Sequence, residues 1–242
     1  MFTKIKMDSI KTNNIKNYLK YAIGELIIII SGILVAVYLN NRNAETKNDE
    51  TLVSILEVIQ NDLKQDTARL QRVLEHYNEK RPYFDKVTSL VYNKDTLSNC
   101  ARCASILKNR RIIQVSQNGF NQLEDFQSTR VDPEDSEISK LLIGYNLIIP
   151  AIEQMNEKVN EDILETLELW RDNYPWFTEF LAQKSDDQLN KEMRDYFSSK
   201  YYQNRVTYHK ALIYENYLPL VKGYLSFANQ QLKVLAERLE NK

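Results

Sequence analysis

"KYAIGELIIIISGILVAVYLNNRN", Lys20 to Asn43, is the most apolar stretch of this chain, and it contains a single acidic residue, Glu25. As an α-helix, residues 21–39 would extend about 28 Å, which is enough to cross the hydrocarbon core of a bilayer. Residues 26–39 have no polar face of the kind that a helix of a soluble domain turns to water. No small-x-small cleavage site follows the run. The stretch therefore predicts a retained membrane helix in preference to a cleaved signal peptide.

The charges on either side of the run predict its orientation. Five lysines and one aspartate precede residue 21, whereas 27 basic and 31 acidic side chains follow Leu39. Because basic residues are retained in the cytoplasm, we expect a basic cytoplasmic tail and an extracytoplasmic body. The mildly acidic body argues against nucleic acid as a partner and leaves the lipid bilayer as the expected one. The predicted segments are 1–20 as tail, 21–39 as transmembrane helix, 40–51 as juxtamembrane segment and 52–242 as an extracytoplasmic helical domain.

The carboxylate within the membrane run has two interpretations. Glu25 lies one turn from the cytoplasmic end, where its side chain can reach the interface as an ordinary boundary residue. Alternatively, it contacts a polar group on another transmembrane helix. Gly32-x-x-x-Ala36, with Ser31 beside it, is a small-x-x-x-small pair that permits two helices to approach closely. The second interpretation predicts an intramembrane partner contact formed by Glu25, Ser31, Gly32 and Ala36.

The composition of the remaining chain predicts an all-α fold. Five glycines and five prolines in 242 residues are too few for the turns of an all-β or repeated α/β chain. Apolar residues step by four and three from Leu52 to Tyr77 in a heptad seam that only Asp66 interrupts. This pattern predicts one long helix that ends at Pro82 and a shorter one over Tyr83–Tyr92. The seam could form a coiled coil with a second copy or pack against later helices of the same chain.

Two further long helices are predicted after residue 130. Asp132 as N-cap and Pro133 at the first helical position begin a helix that runs to Trp170, with a kink at Pro150. Another runs from about Asn204 to near the C-terminus. The residues predicted to form the buried seams are Ile138, Leu142, Tyr145, Ile149, Ile152, Val159, Ile163 and Trp170 on the first helix, and Ile213, Tyr217, Val221, Tyr224, Ala228, Leu235 and Leu239 on the second.

Shorter helices are expected between the long ones, with Ser116 and Ser185-Asp186-Asp187 as caps, and Pro219 is expected to kink the last helix. The predicted architecture is a transmembrane helix followed by an up-and-down bundle of three long helices and several short ones.

No catalytic constellation is evident in the sequence. The two histidines, His76 and His209, have no partner at metal-ligand spacing, and no phosphate-binding glycine loop or nucleophile motif is present. Acidic pairs such as Glu161-Asp162 and Asp186-Asp187 are typical of the solvated faces of helices. We therefore expect no catalytic, cofactor-binding or metal-binding residue and no enzymatic activity.

Cys100-x-x-Cys103 is the one motif with potential reactivity. If Asn99 caps a helix, Cys100 lies at its N-terminus beside Arg102, an arrangement that lowers a thiol pKa. Outside the cytoplasm, two cysteines this close should oxidise to a local disulfide. Two reduced buried thiols, or a redox or metal role, are the alternatives, although one pair supplies only two of the four ligands of zinc.

The segment "KYAIGELIIIISGILVAVYLNN", between a lysine-rich tail and a charged linker, resembles the bacterial domain-of-unknown-function 6090 family. Members of this family open with a single YAIGE-type membrane segment that ends in asparagines. "NGFNQLEDF" and "DSEISKLLIGYN" look like the second recognisable region of the family. The resemblance implies a bacterial inner-membrane protein with a cytoplasmic N-terminus and a periplasmic C-terminal domain, and it implies no activity.

Three functional hypotheses follow from these observations. The first is a structural or protein-interaction component of the cell envelope that binds another envelope protein or a second copy of itself. The second is a ligand-sensing bundle, which would signal laterally through Glu25 or the Gly32 face because the cytoplasmic tail is too short for an output domain. The third is a thiol redox protein that uses Cys100 and Cys103.

Overall fold

The structure is a computed structural model that describes residues 2–89, 97–98, 100–128, 135–182 and 189–240, with side chains from residue 24 onward except at residue 128. These residues form helices joined by short connections and contain no strand, which confirms the all-α prediction. The chain divides into two compact units, Met1–Ser54 and Ile55–Lys242.

Eight α-helices lie within the described part of the chain, and three stretches of the chain are long. The helices are α1 (Phe2–Val87), α2 (Ala101–Ala104), α3 (Asn118–Ser128), α4 (Ser136–Asn173), α5 (Phe177–Ala182), α6 (Lys191–Phe197), α7 (Lys200–Ala211) and α8 (Leu218–Glu240). A 3₁₀ turn, Ser105–Leu107, follows α2, and a π-helical segment, Leu212–Tyr217, joins α7 to α8. The residues 200–240 therefore form the third long stretch.

The first helix is longer than its sequence pattern predicts. Pro82 lies inside α1 and does not end it, and the predicted juxtamembrane segment is helical. Proline removes one backbone hydrogen bond and crowds the preceding turn. The helix continues because Phe84 and Val87, one turn further on, are fully buried in the core. The prediction of a separate helix over Tyr83–Tyr92 is therefore wrong for residues 83–87, which belong to α1. Residues 90–96 lie outside the described residues.

Within the unit Ile55–Lys242, the first two long helices run in the same direction. Asp66 contacts Tyr224 and Phe84 stacks on His209, so α1 runs antiparallel to the last long stretch. Arg238 contacts Asp135, at the start of α4, so α4 is also antiparallel to that stretch. The predicted up-and-down order holds for the second and third long helices. The first two are instead joined by a crossover that runs back along α1.

This crossover, residues 109–117, is an extended segment. The Tyr77 hydroxyl accepts from the Arg111 amide, and the Asp66 carboxylate accepts from the Ser116 amide. The two contacts lie about 16 Å apart along α1, at about 1.5 Å per helical residue. The crossover covers this distance in the five steps from residue 111 to residue 116, so it rises about 3.3 Å per residue, as a β-strand does. The Ile113 amide also donates to the Tyr217 hydroxyl at 2.7 Å, so the crossover is anchored to two helices.

Helix starts differ from the predicted ones because several capping residues lie close together in the sequence. Asp135 caps α4 by accepting from the amides of Glu137 and Ile138, at 3.0 and 3.3 Å. Asn190 caps α6, and Ser199 caps α7, which starts four residues before the predicted position. Residues 132 and 185–187 lie outside the described residues.

The buried faces follow the predicted seams closely. The seam of α1 packs within the chain, so no second copy is needed to cover it. Two predicted seam residues, Leu142 and Leu239, are only half-buried. The buried members are Leu52, Leu56, Ile59, Leu63, Asp66, Leu70, Val73 and Tyr77 on α1, Ile138, Tyr145, Ile149, Ile152, Val159, Ile163 and Trp170 on α4, and Ile213, Tyr217, Val221, Tyr224, Ala228 and Leu235 on the last stretch.

Candidate functional site

The apolar part of α1 is exposed along its whole length. Between residues 26 and 39, the large apolar side chains are 47–74% exposed. Among the described residues, one helix is long and apolar enough to cross a membrane, and this run lies within it. The charged Glu25 side chain at its start is also exposed. No part of the described chain covers this surface.

Helical geometry brings three of the four predicted contact residues to one face. At about 100° per residue, Glu25 lies about 20° from Gly32, and Ala36 lies about 40° from it. Ser31 lies about 100° away and is not on this face, although it is the sequence neighbour of Gly32. A Cβ atom added at Gly32 would meet nothing within 4 Å. The face formed by Glu25, Gly32 and Ala36 is therefore open to another helix.

The acid that interrupts the seam of α1 is part of a buried polar cluster. The Ser116 amide donates to Asp66 Oδ2 and the Ser116 hydroxyl to Oδ1, both at 2.9 Å. The Tyr224 hydroxyl donates to Oδ2 at 2.5 Å, and Arg69 Nη1 lies 3.1 Å from Oδ1. Ser116 is thus bound to Asp66 and does not serve as the predicted cap of α3. One turn earlier, Asp62 Oδ2 accepts from the Gly119 amide at 2.9 Å.

This cluster stabilises structure and does not supply a reactive group. All of the donors around Asp66 are held by buried or half-buried elements. Burial, together with Tyr145 and the Asp66 carboxylate, raises the pKa of Tyr224 well above its ordinary value. Tyr224 therefore remains a protonated donor at every physiological pH.

A second buried pair lies at the other end of the bundle. His209 Nδ1 is 2.5 Å from Asp162 Oδ2, and the histidine ring stacks on Phe84. Asp162 is buried, so its assignment to a solvated acidic face is wrong. A carboxylate that orients a histidine occurs in catalytic sites, but here His209 is 1% exposed and has no access to a substrate.

Cys100 and Cys103 are joined in the structure by a disulfide, with their Cα atoms 5.2 Å apart. Cys100 stands at the N-cap position of α2, and its side chain makes no capping hydrogen bond. The two residues are 8% and 1% exposed, respectively. The Cys103 carbonyl accepts from the Tyr202 hydroxyl at 2.6 Å, so this short helix is tied to α7. Asn99, the predicted cap, lies outside the described residues.

A basic groove lies on the surface of the bundle beside the crossover. It has a volume of about 580 Å³, and its charged lining side chains are Arg69, Arg72 and Arg111. Residues 111–118 form one wall, and the middle of α1 forms the other. We call this feature the arginine groove. No sequence pattern predicts this groove, because its two walls are about 40 residues apart in the chain and neither has a recognisable motif.

Metal chemistry has no support among the described residues, where no three His, Cys, Asp or Glu side chains are grouped to hold an ion. His76 lies apart from His209, and burial, then Lys80 and Arg111, lowers its pKa to about 4. His76 is therefore neutral at physiological pH.

Comparison with known proteins confirms the family resemblance in the first part of the chain. The model of a family of unknown function (DUF6090) matches residues 25–101, which include the open face of the membrane run and most of α1. Residues 118–126 and 135–146 lie outside the match, so that part of the resemblance stays a prediction. No curated protein and no solved structure matches the chain.

Proposed function

We propose that this protein, whose residues 25–101 match the model of a family of unknown function (DUF6090), is a single-pass anchor protein of the bacterial inner membrane. Residues 1–20 lie in the cytoplasm, 21–39 cross the bilayer, and the helical body lies in the periplasm. The protein acts as a structural or protein-interaction component of the cell envelope. It binds another envelope protein or a second copy of itself through the membrane helix.

The observation that carries this proposal is the exposure of every large apolar side chain between residues 26 and 39. In water, a continuous apolar surface of this size would favour aggregation. In a bilayer it is matched to the hydrocarbon core, and the basic tail before it favours a cytoplasmic N-terminus. The open face of Glu25, Gly32 and Ala36 supports a lateral contact, because small residues let two helix backbones approach closely.

A reporter fusion tests the orientation. Alkaline phosphatase, which is active only outside the cytoplasm, would be fused after Lys242 and, as a control, after Lys20. We expect activity from the first fusion and none from the second, which lacks the membrane helix. Activity of a cytoplasmic reporter at Lys242, or a soluble mature chain without its first forty residues, would overturn the proposed placement.

Site-specific photo-crosslinking in native membranes tests the lateral contact. The crosslinking amino acid would replace Gly32 or, as the matched control, Ile30, which lies two residues away and about 160° around the helix. We expect a protein adduct from position 32 and mainly lipid adducts from position 30. Equal yields of protein adduct, or none at position 32, would contradict an interface on this face.

The arginine groove favours a second candidate function, ligand sensing by the body. The third hypothesis, thiol exchange, receives less support because both cysteines are buried. A Cys100→Ser variant without any loss of dithiol exchange would exclude it.

A further inference from the structure

We infer that the arginine groove binds a small oxyanion of the phosphate or polycarboxylate type, a ligand class that goes beyond the proposed anchoring role.

The lining of the groove carries a net positive charge. Three guanidinium groups line it, and no Asp or Glu does so among the described residues. Arg69 is neutralised by the buried Asp66, at 3.1 Å. The groove therefore retains the positive charges of Arg72 and Arg111, whose side chains are exposed to solvent at its edges. Planar guanidinium groups match the oxygens of phosphate and carboxylate and can bind them with two parallel hydrogen bonds.

The floor of the groove is held in place before any ligand arrives. Arg69 Nη1 donates to the Ser116 hydroxyl at 3.0 Å and lies 3.4 Å from the Gln114 carbonyl. At the other end of the crossover, the Arg111 amide donates to the Tyr77 hydroxyl at 3.2 Å. These contacts fix both ends of the crossover, so little ordering entropy is lost when an anion binds.

The crossover also turns backbone amides toward the arginines. In an extended segment, alternate residues direct their amides to opposite sides. The Arg111 and Ile113 amides point to tyrosines of the bundle. By this alternation we expect the amides of Ile112 and Gln114 on the other side, where Arg69 reaches the Gln114 carbonyl. Backbone N–H groups beside guanidinium groups are a common arrangement in anion sites.

The volume of the groove and its electrostatic potential are compatible with a small polyanion. A volume of about 580 Å³ is within the range of small-molecule sites, and the groove opens to solvent. Burial and the neighbouring charges of Lys80 and Arg111 keep His76 neutral, consistent with a positive local potential. A free solute and a lipid phosphate headgroup share the required chemistry, so the experiment must separate these two sources.

Titration calorimetry on the full chain in phosphatidylcholine nanodiscs tests the inference, with inorganic phosphate and citrate as probes at constant ionic strength. The test variant is Arg72→Gln with Arg111→Gln. The matched control is Arg171→Gln with Lys140→Gln, which removes two exposed charges of the same sign on α4. We expect saturable binding of at least one probe, weakened about tenfold or more in the test variant and unchanged in the control. A thermal melt of each variant confirms that it is folded.

Absence of saturable binding of both probes, or an equal loss in the control, would overturn the inference. A variant with Arg72→Lys and Arg111→Lys keeps the charge but loses the paired hydrogen bonds, and intermediate affinity is expected. Addition of phosphatidylglycerol to the nanodiscs separates the sources. If phosphatidylglycerol weakens binding of the soluble probe to the parent chain but not to the test variant, the ligand is a lipid headgroup. If phosphatidylglycerol leaves the affinity of the parent chain for the probe unchanged, the ligand is a free solute. Neither readout depends on the reporter fusions, so failure of the two proposals can be told apart.

Discussion

Asp66 is fully buried on α1, and its two carboxylate oxygens accept from the crossover and from α8. An Asp66→Asn substitution keeps the volume but leaves only one oxygen, and its NH₂ group faces the Ser116 and Tyr224 donors. Because buried donors would lose their acceptor, we expect a loss of about 3 kcal/mol in the free energy of unfolding.

Chemical denaturation of the micelle-solubilised chain measures this change in the free energy of unfolding. Glu75→Gln, at an exposed position of the same helix, should change stability by less than about 0.5 kcal/mol. Equal stability of the two variants would contradict the role assigned to Asp66.

Two glycines offer a matched test of close packing at single positions. A Cβ atom at Gly119 would lie 2.5 Å from Ile59 Cγ1 and 2.7 Å from the Ile59 amide nitrogen. Since backbone atoms cannot move aside, Gly119→Ala should push α3 away from α1 and destabilise the chain by about 2 kcal/mol.

Gly223 on α8 meets nothing within 4 Å, so Gly223→Ala should stabilise the chain by up to about 1 kcal/mol through helix propensity. Thermal unfolding of both variants should therefore shift in opposite directions. Shifts of the same sign would show that α3 does not approach α1 as closely as the structure indicates.

The heptad pattern identifies Asp66 as an interruption of an apolar seam, but it does not identify the partners. Ser116 and Tyr224 are 50 and 158 residues away in the sequence. No local pattern specifies pairs at such separation. Asp162 is misassigned for the same reason, because its partner His209 is 47 residues away on another helix.

At the scale of elements, the start of α4 combines a helix cap with an ion pair. The Asp135 carboxylate accepts from two amides of the first turn, and Arg238 Nη2 lies 2.5 Å from it. The hydrogen bond from Arg238 is the main cause that lowers the pKa of Asp135 below its ordinary value of 3.8. A carboxyl group whose pKa is lowered by folding stabilises the fold at pH values above its ordinary pKa. This stabilisation is lost as the pH falls through the lowered pKa.

Two substitutions at Asp135 separate the two contributions. Asp135→Asn keeps a good capping side chain but removes the charge, so at neutral pH it should lose the stability that the charged pair with Arg238 contributes, and its stability should fall less steeply below pH 3.8. Asp135→Ala removes the cap as well and should cost about 1 kcal/mol more. Unfolding free energies measured from neutral to acidic pH test both expectations. An unchanged acid slope in Asp135→Asn would show that Arg238 does not set the pKa of this carboxyl.

The sequence predicts the buried faces of the long helices better than their ends or their direction. Apolar spacing reports which side of a helix is buried, and this holds along α1, α4 and α8. The ends depend on competing caps and on whether packing beyond a proline compensates for its lost hydrogen bond, as Phe84 does beyond Pro82. The parallel course of α1 and α4 depends on the crossover, which has no periodic signal of its own.

At the scale of the whole molecule, the chain consists of an exposed apolar helix segment and a compact body. The apolar run ends at Leu39, the buried apolar residues of α1 start at Leu52, and the second compact unit starts at Ile55. Every hydrogen bond around Asp66 and Asp162 lies within residues 55–242. The apolar run therefore contributes no side chain to either cluster, and the body should fold without it.

A chain of residues 44–242 tests this division of the molecule. Without the membrane run it should remain soluble in water, show a helical circular dichroism spectrum and unfold in one cooperative transition, because its core is complete. The full chain should require detergent or a bilayer, since its exposed apolar surface otherwise favours association. A matched chain of residues 21–242, which keeps the run but lacks the basic tail, should behave like the full chain. If the chain of residues 44–242 aggregates or unfolds without cooperativity, the body requires the preceding helix, and the two units are not independent in folding.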